Sequence, residues 1–419
     1  MHVDGRRSEF RRRAESRLRS AFRFLSREPQ LEGDLEPRRR ARPIPPEHDV
    51  ILGNDAQLLC DGSGVLPRML EDIRSARRSV DVEMYCFADD FVGCRFARAL
   101  AERAEQGVDV RVLVDAAGCR RTPRSFFGWM RERGIRVRGV NPLRRFLLQG
   151  SLFRWRDHRK LVVVDGAAAY VGGLNLSRDY AAVSDGGCGW RDAAIRLTGP
   201  VVSTLHASFE RQWKDETAVG SRAVPLRAGA IEPPAPTGDV PAIVLESRPI
   251  GPGPFAAVFR RAVEQARERV WIANPYFLPP RSLRRALRRA ARRGADVRVL
   301  VPRWSDSAFV LRASQRAYAY FLRSGIRLFE WPGTMMHLKA AVIDGAWSTI
   351  GSYNIDPLSL LANRELNVVL LDRAVGGRFE AMFEKDFSCS RELDPVRWSA
   401  RGPLRRLTEQ LCGAFRVFL

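Results

Sequence analysis

The chain has 419 residues, enough for about two or three domains with full cores. Its formal net charge of +22 predicts an anionic partner, a class that includes nucleic acid, acidic membrane surfaces and phosphate-bearing substrates. The seven cysteines show no CxxC spacing, which argues against a disulfide framework and against a zinc site. No run of about 18 apolar residues occurs and no apolar leader stands at the start, so neither a membrane-spanning helix nor a secretory signal is predicted.

The chain begins with an arginine-rich extension, residues 1–48, which ends in a proline-rich run. Phe10, Leu18, Phe22 and Leu25 would share one face of a helix, whose other face would bind anionic lipid. A disordered basic tail explains the same composition, and we favour it slightly. We therefore expect the extension to be flexible.

Residues 49–220 alternate between helical and extended patterns, as in an α/β domain. The apolar run Val108–Asp115 is nearly continuous, which is typical of a strand in a sheet covered on both faces. The predicted helices are Val65–Arg77 and Gly93–Gln106, and the predicted strands are Ser79–Phe87, Val108–Asp115 and Gly134–Val140.

Residues 242–400 repeat this order, so the chain is predicted to contain two homologous halves. The segment GVDVRVLV from Gly107 matches GADVRVLV from Gly294. Between the halves, residues 221–241 are rich in Pro, Ala and Gly and are predicted to be a linker, and residues 401–419 form a predicted helical tail. The second half has predicted helices at Phe255–Arg267 and Ser282–Arg293 and predicted strands at Val270–Phe277 and Gly294–Val301. The helix Ser282–Arg293 is rich in arginine and is predicted to lie on the outside, with an inner apolar stripe of Leu283, Ala286, Leu287 and Ala290.

The most informative stretch is His158–Asn175, which is predicted to form a strand, a tight turn and a second strand. His158 and Lys160 are two residues apart and therefore point to the same face. Asp165 begins an Asp-Gly hairpin signal, and Asn175 follows a pair of glycines that let the backbone approach a ligand. The stretch offers an imidazole, an ammonium group and an amide to an anion.

The same pattern recurs at identical spacing in His337–Asn354. The chain has only four lysines, at positions 160, 214, 339 and 385, and two of them fall in these copies. A compact ammonium charge in an arginine-rich chain indicates a place for a phosphoryl oxygen. The second copy contains His337, Lys339, Asp344, Ser352 and Asn354.

These motifs, HxKx4Dx6GGxN and HxKx4Dx6GSxN, resemble the paired signature of the phospholipase D superfamily over about residues 50–400. The segments WRDAAIRLTGP from Trp190, ANPYFLP from Ala273 and NIDPLSLLANRELNVVLLD from Asn354 resemble bacterial cardiolipin synthases, particularly short ones without N-terminal membrane helices. Gly173 stands where many superfamily members have serine. The resemblance implies an α/β fold of two α/β/α sandwich halves related by a pseudo-twofold, with one active site at their interface.

The resemblance also implies a two-step transfer without a metal or another cofactor. His158 would attack phosphorus to give a phosphohistidine, and His337 would protonate the departing alkoxide. The signature includes Asp165 and Asp344 in the catalytic set, although a turn position indicates a structural anchor. Phosphate-binding or orienting roles are implied for Lys160, Lys339, Asn175, Asn354 and Ser352 around the phosphoryl oxygens, and for Asp192 and Glu365 as partners of the histidines.

The function implied is a phosphatidyltransferase that makes cardiolipin and glycerol from two phosphatidylglycerol molecules. Its partners would be phospholipid substrates and an anionic phospholipid surface, and it would act as a peripheral protein on the cytoplasmic face of the cell membrane. The apolar segments Phe146–Trp155 and Trp331–Met336 lead into the two histidines and would either press against lipid or pack where the halves meet. The alternatives are a phosphodiesterase or nuclease, for which nucleic acid would be the partner, and a non-catalytic anion-binding protein. The sequence leaves the oligomeric state open.

Overall fold

The computed structural model describes residues 50–141, 156–217, 231–247, 253–402 and 408. The predicted basic extension (1–48), the apolar segment Phe146–Trp155, residues 221–230 of the predicted linker and nearly all of the predicted tail (401–419) lie outside the described residues. Elements, contacts and burial refer to the described ranges alone.

The first half begins with a strand that sequence patterning did not predict, because polar residues interrupt its apolar run. The helices and strands that were predicted are present, with ends that differ by a few residues. The elements are β1 (Ile51–Cys60), α1 (Asp61–Ser75), β2 (Ser79–Met84), α2 (Phe91–Glu105), β3 (Asp109–Asp115), α3 (Arg124–Glu132), β4 (Arg136–Val140), β5 (Lys160–Val164), β6 (Ala168–Gly172), a 3-10 turn (Val183–Asp185), β7 (Ala193–Thr198) and α4 (Val201–Thr217).

The second half starts at Val240, which lies inside the range predicted to be linker. Its arginine-rich helix buries the predicted inner stripe of leucines and alanines. The elements are β8 (Val240–Glu246), α5 (Pro254–Gln265), β9 (Arg269–Ala273), α6 (Arg281–Arg292), β10 (Asp296–Pro302), α7 (Ala308–Arg323), β11 (Arg327–Trp331), β12 (Ala340–Ile343), β13 (Trp347–Gly351), α8 (Pro357–Leu361), β14 (Leu366–Leu370), α9 (Arg373–Ser388), β15 (Arg391–Glu392) and α10 (Pro395–Ser399).

The strands form one fifteen-stranded sheet in which the two halves have the same internal order. That order is β4-β3-β2-β5-β6-β7-β1 in the first half and β11-β10-β9-β12-β13-β14-β8 in the second, with β15 added at the edge of the second half. The equivalent strands β1 and β8 pair antiparallel where the halves meet. Antiparallel pairing of equivalent strands is what a twofold between the halves requires. The predicted α/β class with two homologous halves is confirmed.

A hydrophobic core is shared by both halves and fixes how they meet. It contains Leu161 and Ile195 from the first half and Val342, Ile350 and Phe383 from the second. Two further cores lie on the outer sides, one under α1 to α3 and one under α5 to α7. Each half is therefore a sheet covered on both faces, and the inner layer belongs to both.

Each motif begins at the carboxyl end of the parallel strands. β5 is antiparallel to β2, so Lys160 lies opposite Met84, the last residue of β2. β12 is likewise antiparallel to β9, and Ala340 lies opposite Ala273. Loops at the carboxyl ends of parallel strands are where open α/β sheets place their ligands.

The motif aspartates lie at the other end of these strands, in the hairpin turns. Asp165 has a φ of 54° and Asp344 a φ of 50°, as a turn of type I′ requires of its first central residue. The Asp165 carboxylate accepts hydrogen bonds of 2.7–3.2 Å from the backbone N–H groups of residues 77–79, and Asp344 accepts three of 2.9 Å from residues 267–269. Each aspartate therefore anchors the start of β2 or β9. Their inclusion in the catalytic set is not supported by the geometry, which agrees with the anchor that their turn position indicates.

We expect Asp165→Ala to lower the free energy of unfolding by roughly 2 kcal/mol, because three backbone donors lose their acceptor. Asp165→Asn keeps one acceptor oxygen and should cost less. Urea unfolding of the two variants measures both values. A loss of activity in the folded Asp165→Ala protein with no change in stability would contradict the anchor role.

Candidate active site

Backbone hydrogen bonds between the halves position the two motif histidines. The backbone N–H of His158 donates to the carbonyl oxygen of Arg364 at 3.0 Å, and the backbone N–H of His337 donates to the carbonyl oxygen of Arg191 at 2.8 Å. Arg191 in turn donates to the carbonyl oxygen of Met335 at 2.9 Å. The loop before each motif thus runs alongside a loop of the other half, and the two carboxyl-end regions meet.

Each imidazole is paired with a carboxylate from the opposite half. The Nδ1 atom of His158 lies 3.0 Å from Oε2 of Glu365, and Nδ1 of His337 lies 2.9 Å from Oδ2 of Asp192. Both carboxylates are buried, and the imidazoles are only 12% and 7% exposed. Because Nδ1 is engaged in both rings, Nε2 is the nitrogen left to meet a substrate. Each motif histidine therefore depends on the other half for its carboxylate.

The two carboxylates have different surroundings. Glu365 accepts hydroxyl hydrogen bonds from Ser352 at 2.5 Å and Ser359 at 2.6 Å. Burial acts to raise its pKa, but the charges of His158 and Lys160 and the hydrogen bonds with His158 and Ser352 outweigh burial, so the pKa of Glu365 is lowered. Burial raises the pKa of Asp192 to about 6, against the opposing charge of Lys339. At neutral pH Glu365 is the more firmly ionised partner.

His337 has two more neighbours at Nδ1 besides Asp192. The hydroxyl of Tyr180 and Nζ of Lys339 both lie 3.0 Å from it. Tyr180 is buried and accepts a hydrogen bond from Nδ2 of Asn175 at 3.0 Å. Sequence reasoning missed Tyr180, which occupies the position where the second half has Ser359. Aligning the halves beyond the motif would have shown this substitution.

The motif lysines are buried and turned back toward their own strands. Lys160 donates to the carbonyl oxygen of His158 at 2.7 Å, and Lys339 donates to that of His337. Burial lowers the pKa of Lys160 to about 7 and that of Lys339 to about 8, although Glu365 and Asp192 act in the opposite direction. Burial also lowers the pKa of both histidines, that of His337 most strongly. The site is short of negative charge, as a site for an anionic substrate should be.

The other predicted residues divide into two groups. Asn175 and Ser352 form hydrogen bonds to protein groups, to Tyr180 and Glu365 respectively, so they lie behind the histidines. Asn354 is buried, and among the described residues its Oδ1 has no hydrogen-bond partner. The structure therefore brings together the predicted histidines, lysines, amides, serine and carboxylates, whereas Asp165 and Asp344 lie elsewhere.

The apolar segment before the second motif is divided, with Pro332, Gly333 and Thr334 exposed and the two methionines in the protein interior. Met335 and Met336 are fully buried, and Met336 belongs to the core shared by the halves. Of the two possibilities left open for this segment, packing between the halves holds for these methionines. Within the described residues, no helix has both the length and the apolar content needed to cross a bilayer.

Gly173 marks a second difference between the halves. A Cβ atom added there would lie 2.4 Å from Oδ2 of Asp192, closer than any real contact. At the equivalent position Ser352 fits, because its partner is the longer Glu365. The glycine thus makes room for the carboxylate that holds His337.

Comparisons with known proteins show the family and the fold. The family described as "Cardiolipin synthase, PLD-like domain" matches residues 69–213 and 259–387. The chain is 32% identical over 369 residues to "Probable cardiolipin synthase YwiE" of Bacillus subtilis, which covers 86% of this chain and 72% of that protein. It is 32% identical over 391 residues to "Cardiolipin synthase A" of Pseudomonas entomophila, and this match covers 91% of this chain and 80% of that protein. The solved phosphatidylserine synthase of Haemophilus influenzae shares the fold, with a TM-score of 0.66 at 13% identity over 87% of this chain and 95% of that one.

We expect Gly173→Ser to move the ring resonances of His337, because the new side chain displaces the Asp192 carboxylate from Nδ1. The matched change in the other half, Ser352→Gly, should affect His158 instead, and more weakly, because Glu365 keeps Ser359. Nitrogen-15 NMR of labelled imidazoles measures both responses. Unchanged His337 signals in the Gly173→Ser protein would show that Asp192 tolerates the added atoms.

Proposed function

The chain belongs to the cardiolipin synthase family of the phospholipase D superfamily and is a phosphatidyltransferase, and we propose that it converts two phosphatidylglycerol molecules into cardiolipin and glycerol. The observation that carries this proposal is the pair of recessed imidazoles, each held by a buried carboxylate of the other half. Two such groups provide a nucleophile and an acid at one phosphorus atom. The relatives are named as cardiolipin synthases, which supports the lipid substrate.

In the proposed reaction His158 is the nucleophile. Its Nδ1 faces both oxygens of Glu365, at 3.2 and 3.0 Å, and so carries the proton, which leaves the lone pair on Nε2. Attack on phosphorus forms an N–P bond, breaks the P–O bond to glycerol and leaves positive charge on the ring. The ionised Glu365 stabilises that charge.

His337 is the proposed acid and then the base. Two donors, Tyr180 and Lys339, lie at its Nδ1 and favour the tautomer with a proton on Nε2. Burial and the charges of Lys339 and Lys160 lower the pKa of His337, and a bound phosphate offsets those lysine charges. The ring can then hold a second proton on Nδ1, and this N–H donates a hydrogen bond to Asp192. The Nε2 proton goes to the departing glycerol oxygen.

The second step reverses the first with a different alcohol. The neutral His337 takes the proton from the hydroxyl of a second phosphatidylglycerol, whose oxygen attacks phosphorus and releases His158. In the proposal Lys160 and Lys339, together with Asn354, stabilise the charge on the phosphoryl oxygens. In the proposal Asn175 orients His337 through Tyr180, and Ser352 orients His158 through Glu365.

We further propose that the protein works on the cytoplasmic face of the cell membrane as a peripheral protein. Its net charge of +22 supports attraction to an anionic phospholipid surface. The substrate, itself an anionic phospholipid, resides in that surface.

The direct test uses phosphatidylglycerol vesicles labelled in the terminal glycerol, followed by separation of the lipids. We expect labelled glycerol to be released as cardiolipin accumulates. Phosphatidic acid without cardiolipin would show a hydrolase instead. Cleavage of a single-stranded oligonucleotide without lipid turnover would show a nuclease.

The two histidine roles can be separated with a substrate whose leaving group needs no acid. We expect His158→Gln and His337→Gln each to lower cardiolipin formation by at least about 10³-fold. With a phosphatidyl ester of p-nitrophenol, His337→Gln should still release nitrophenol and become covalently labelled, whereas His158→Gln should do neither. Rapid-quench measurement of both signals is the readout. Labelling of the His158→Gln protein would reverse the assignment.

A further inference from the structure

Three exposed apolar side chains lie where the chain continues beyond β6 and β10, two of them in connecting segments and one in the first turn of α7. They are Val183, 68% exposed in the loop between β6 and β7, and Trp304 and Phe309, 54% and 39% exposed just after β10. We call these three residues the apolar rim. Large apolar side chains on a protein surface indicate an interaction site when they gather around a functional opening.

The apolar rim flanks His337 from both halves. Asp306 lies between Trp304 and Phe309 in sequence, accepts a 2.5 Å hydrogen bond from Tyr276, and is near enough to affect the pKa of His337 and Lys339. On the other side, Val183 packs over Gly189, where an added Cβ would lie 2.9 Å from its Cγ2. The next residue, Trp190, has its ring centroid 5.7 Å from that of His337.

The recessed position of the imidazoles makes this rim important for a lipid substrate. A head-group phosphate must enter the protein to reach them, while the acyl chains remain in the bilayer. The opening must therefore lie against the membrane surface. Met335 and Met336, which directly precede the second motif, are buried and therefore do not contact the membrane surface.

We propose that the apolar rim inserts into the interfacial layer of a bilayer that contains anionic phospholipid; this inference rests on the proposed function. Tryptophan favours that layer because its ring is apolar with a polar N–H. The two segments that carry the rim also contain exposed Arg178 and Arg303 beside exposed Asp185 and Asp306, and the connections after β2 and β3 add exposed Asp89, Arg120 and Arg121. The positive charge of the whole chain adds long-range attraction.

A bilayer suits this surface better than a protein partner. A stable protein interface buries about 800 Å² on each side, far more than three side chains in two segments provide. Single apolar side chains are enough at a lipid surface when electrostatic attraction supplies the rest.

The test compares binding of the full chain to vesicles of phosphatidylglycerol and phosphatidylcholine by flotation. We expect Trp304→Ser and Phe309→Ser each to weaken partitioning by about tenfold, and the double variant by more. The matched control is Val396→Ser, because Val396 is 77% exposed on α10, near the amino end of β11 and away from the site. Brominated lipids should quench part of the tryptophan fluorescence of the native protein. This quenching should be lost in the Trp304→Phe protein.

Activity and mass distinguish the remaining outcomes. Short-chain phosphatidylglycerol, used as dissolved monomers, needs no bilayer contact, so the Trp304→Ser protein should turn it over within about twofold of the native rate. Native-like vesicle binding by the rim variants would overturn the proposal, as would loss of monomer turnover or a changed oligomeric mass in Trp304→Ser. If the native protein binds vesicles through the rim yet makes no cardiolipin, the proposed function fails and the docking surface stands.

Discussion

The exchange of carboxylates between the halves is the constraint on which this site depends. Glu365 reaches His158 and Asp192 reaches His337, and all four groups are largely withdrawn from water. A buried carboxylate is costly unless a partner compensates it, so each pair stabilises one orientation of the halves. Arg191, beside Asp192, adds an ion pair of 2.8 Å to Asp386 on α9. The contacts that join the halves are therefore also contacts that form the site.

The internal symmetry explains why each half contributes one imidazole to the site, and its departures explain how the two can differ. The same strand order and hairpin place a histidine and a lysine at equivalent points of each half. Tyr180 contacts His337, whereas its counterpart Ser359 contacts Glu365. Both rings face a carboxylate, and His337 alone also has the Tyr180 hydroxyl and the Lys339 ammonium group at Nδ1. A duplicated fold thus gains two chemical roles through a few side chains behind the rings.

Sequence reasoning recovered what repeats and local patterns determine. The motif spacing located the histidines and lysines, and helical periodicity identified the buried stripe of α6. It missed β1, whose polar residues obscure a strand that is specified by pairing with β7 and β8. It could not show that the carboxylates cross between halves, because that depends on how distant loops meet. The resemblance had also grouped Asp165 with the catalytic residues, whereas its hydrogen bonds show a turn that holds β2.

The electrostatics of the site couple substrate binding to protons. With the pKa of Lys160 lowered to about 7 and that of Lys339 to about 8, the empty site is only partly charged near neutral pH. A phosphodiester favours the charged lysines, so its binding takes up protons and weakens as pH rises. An anionic bilayer concentrates protons as well as cationic proteins at its surface. The membrane that holds the substrate would therefore also favour the protonation state that the site needs to bind it.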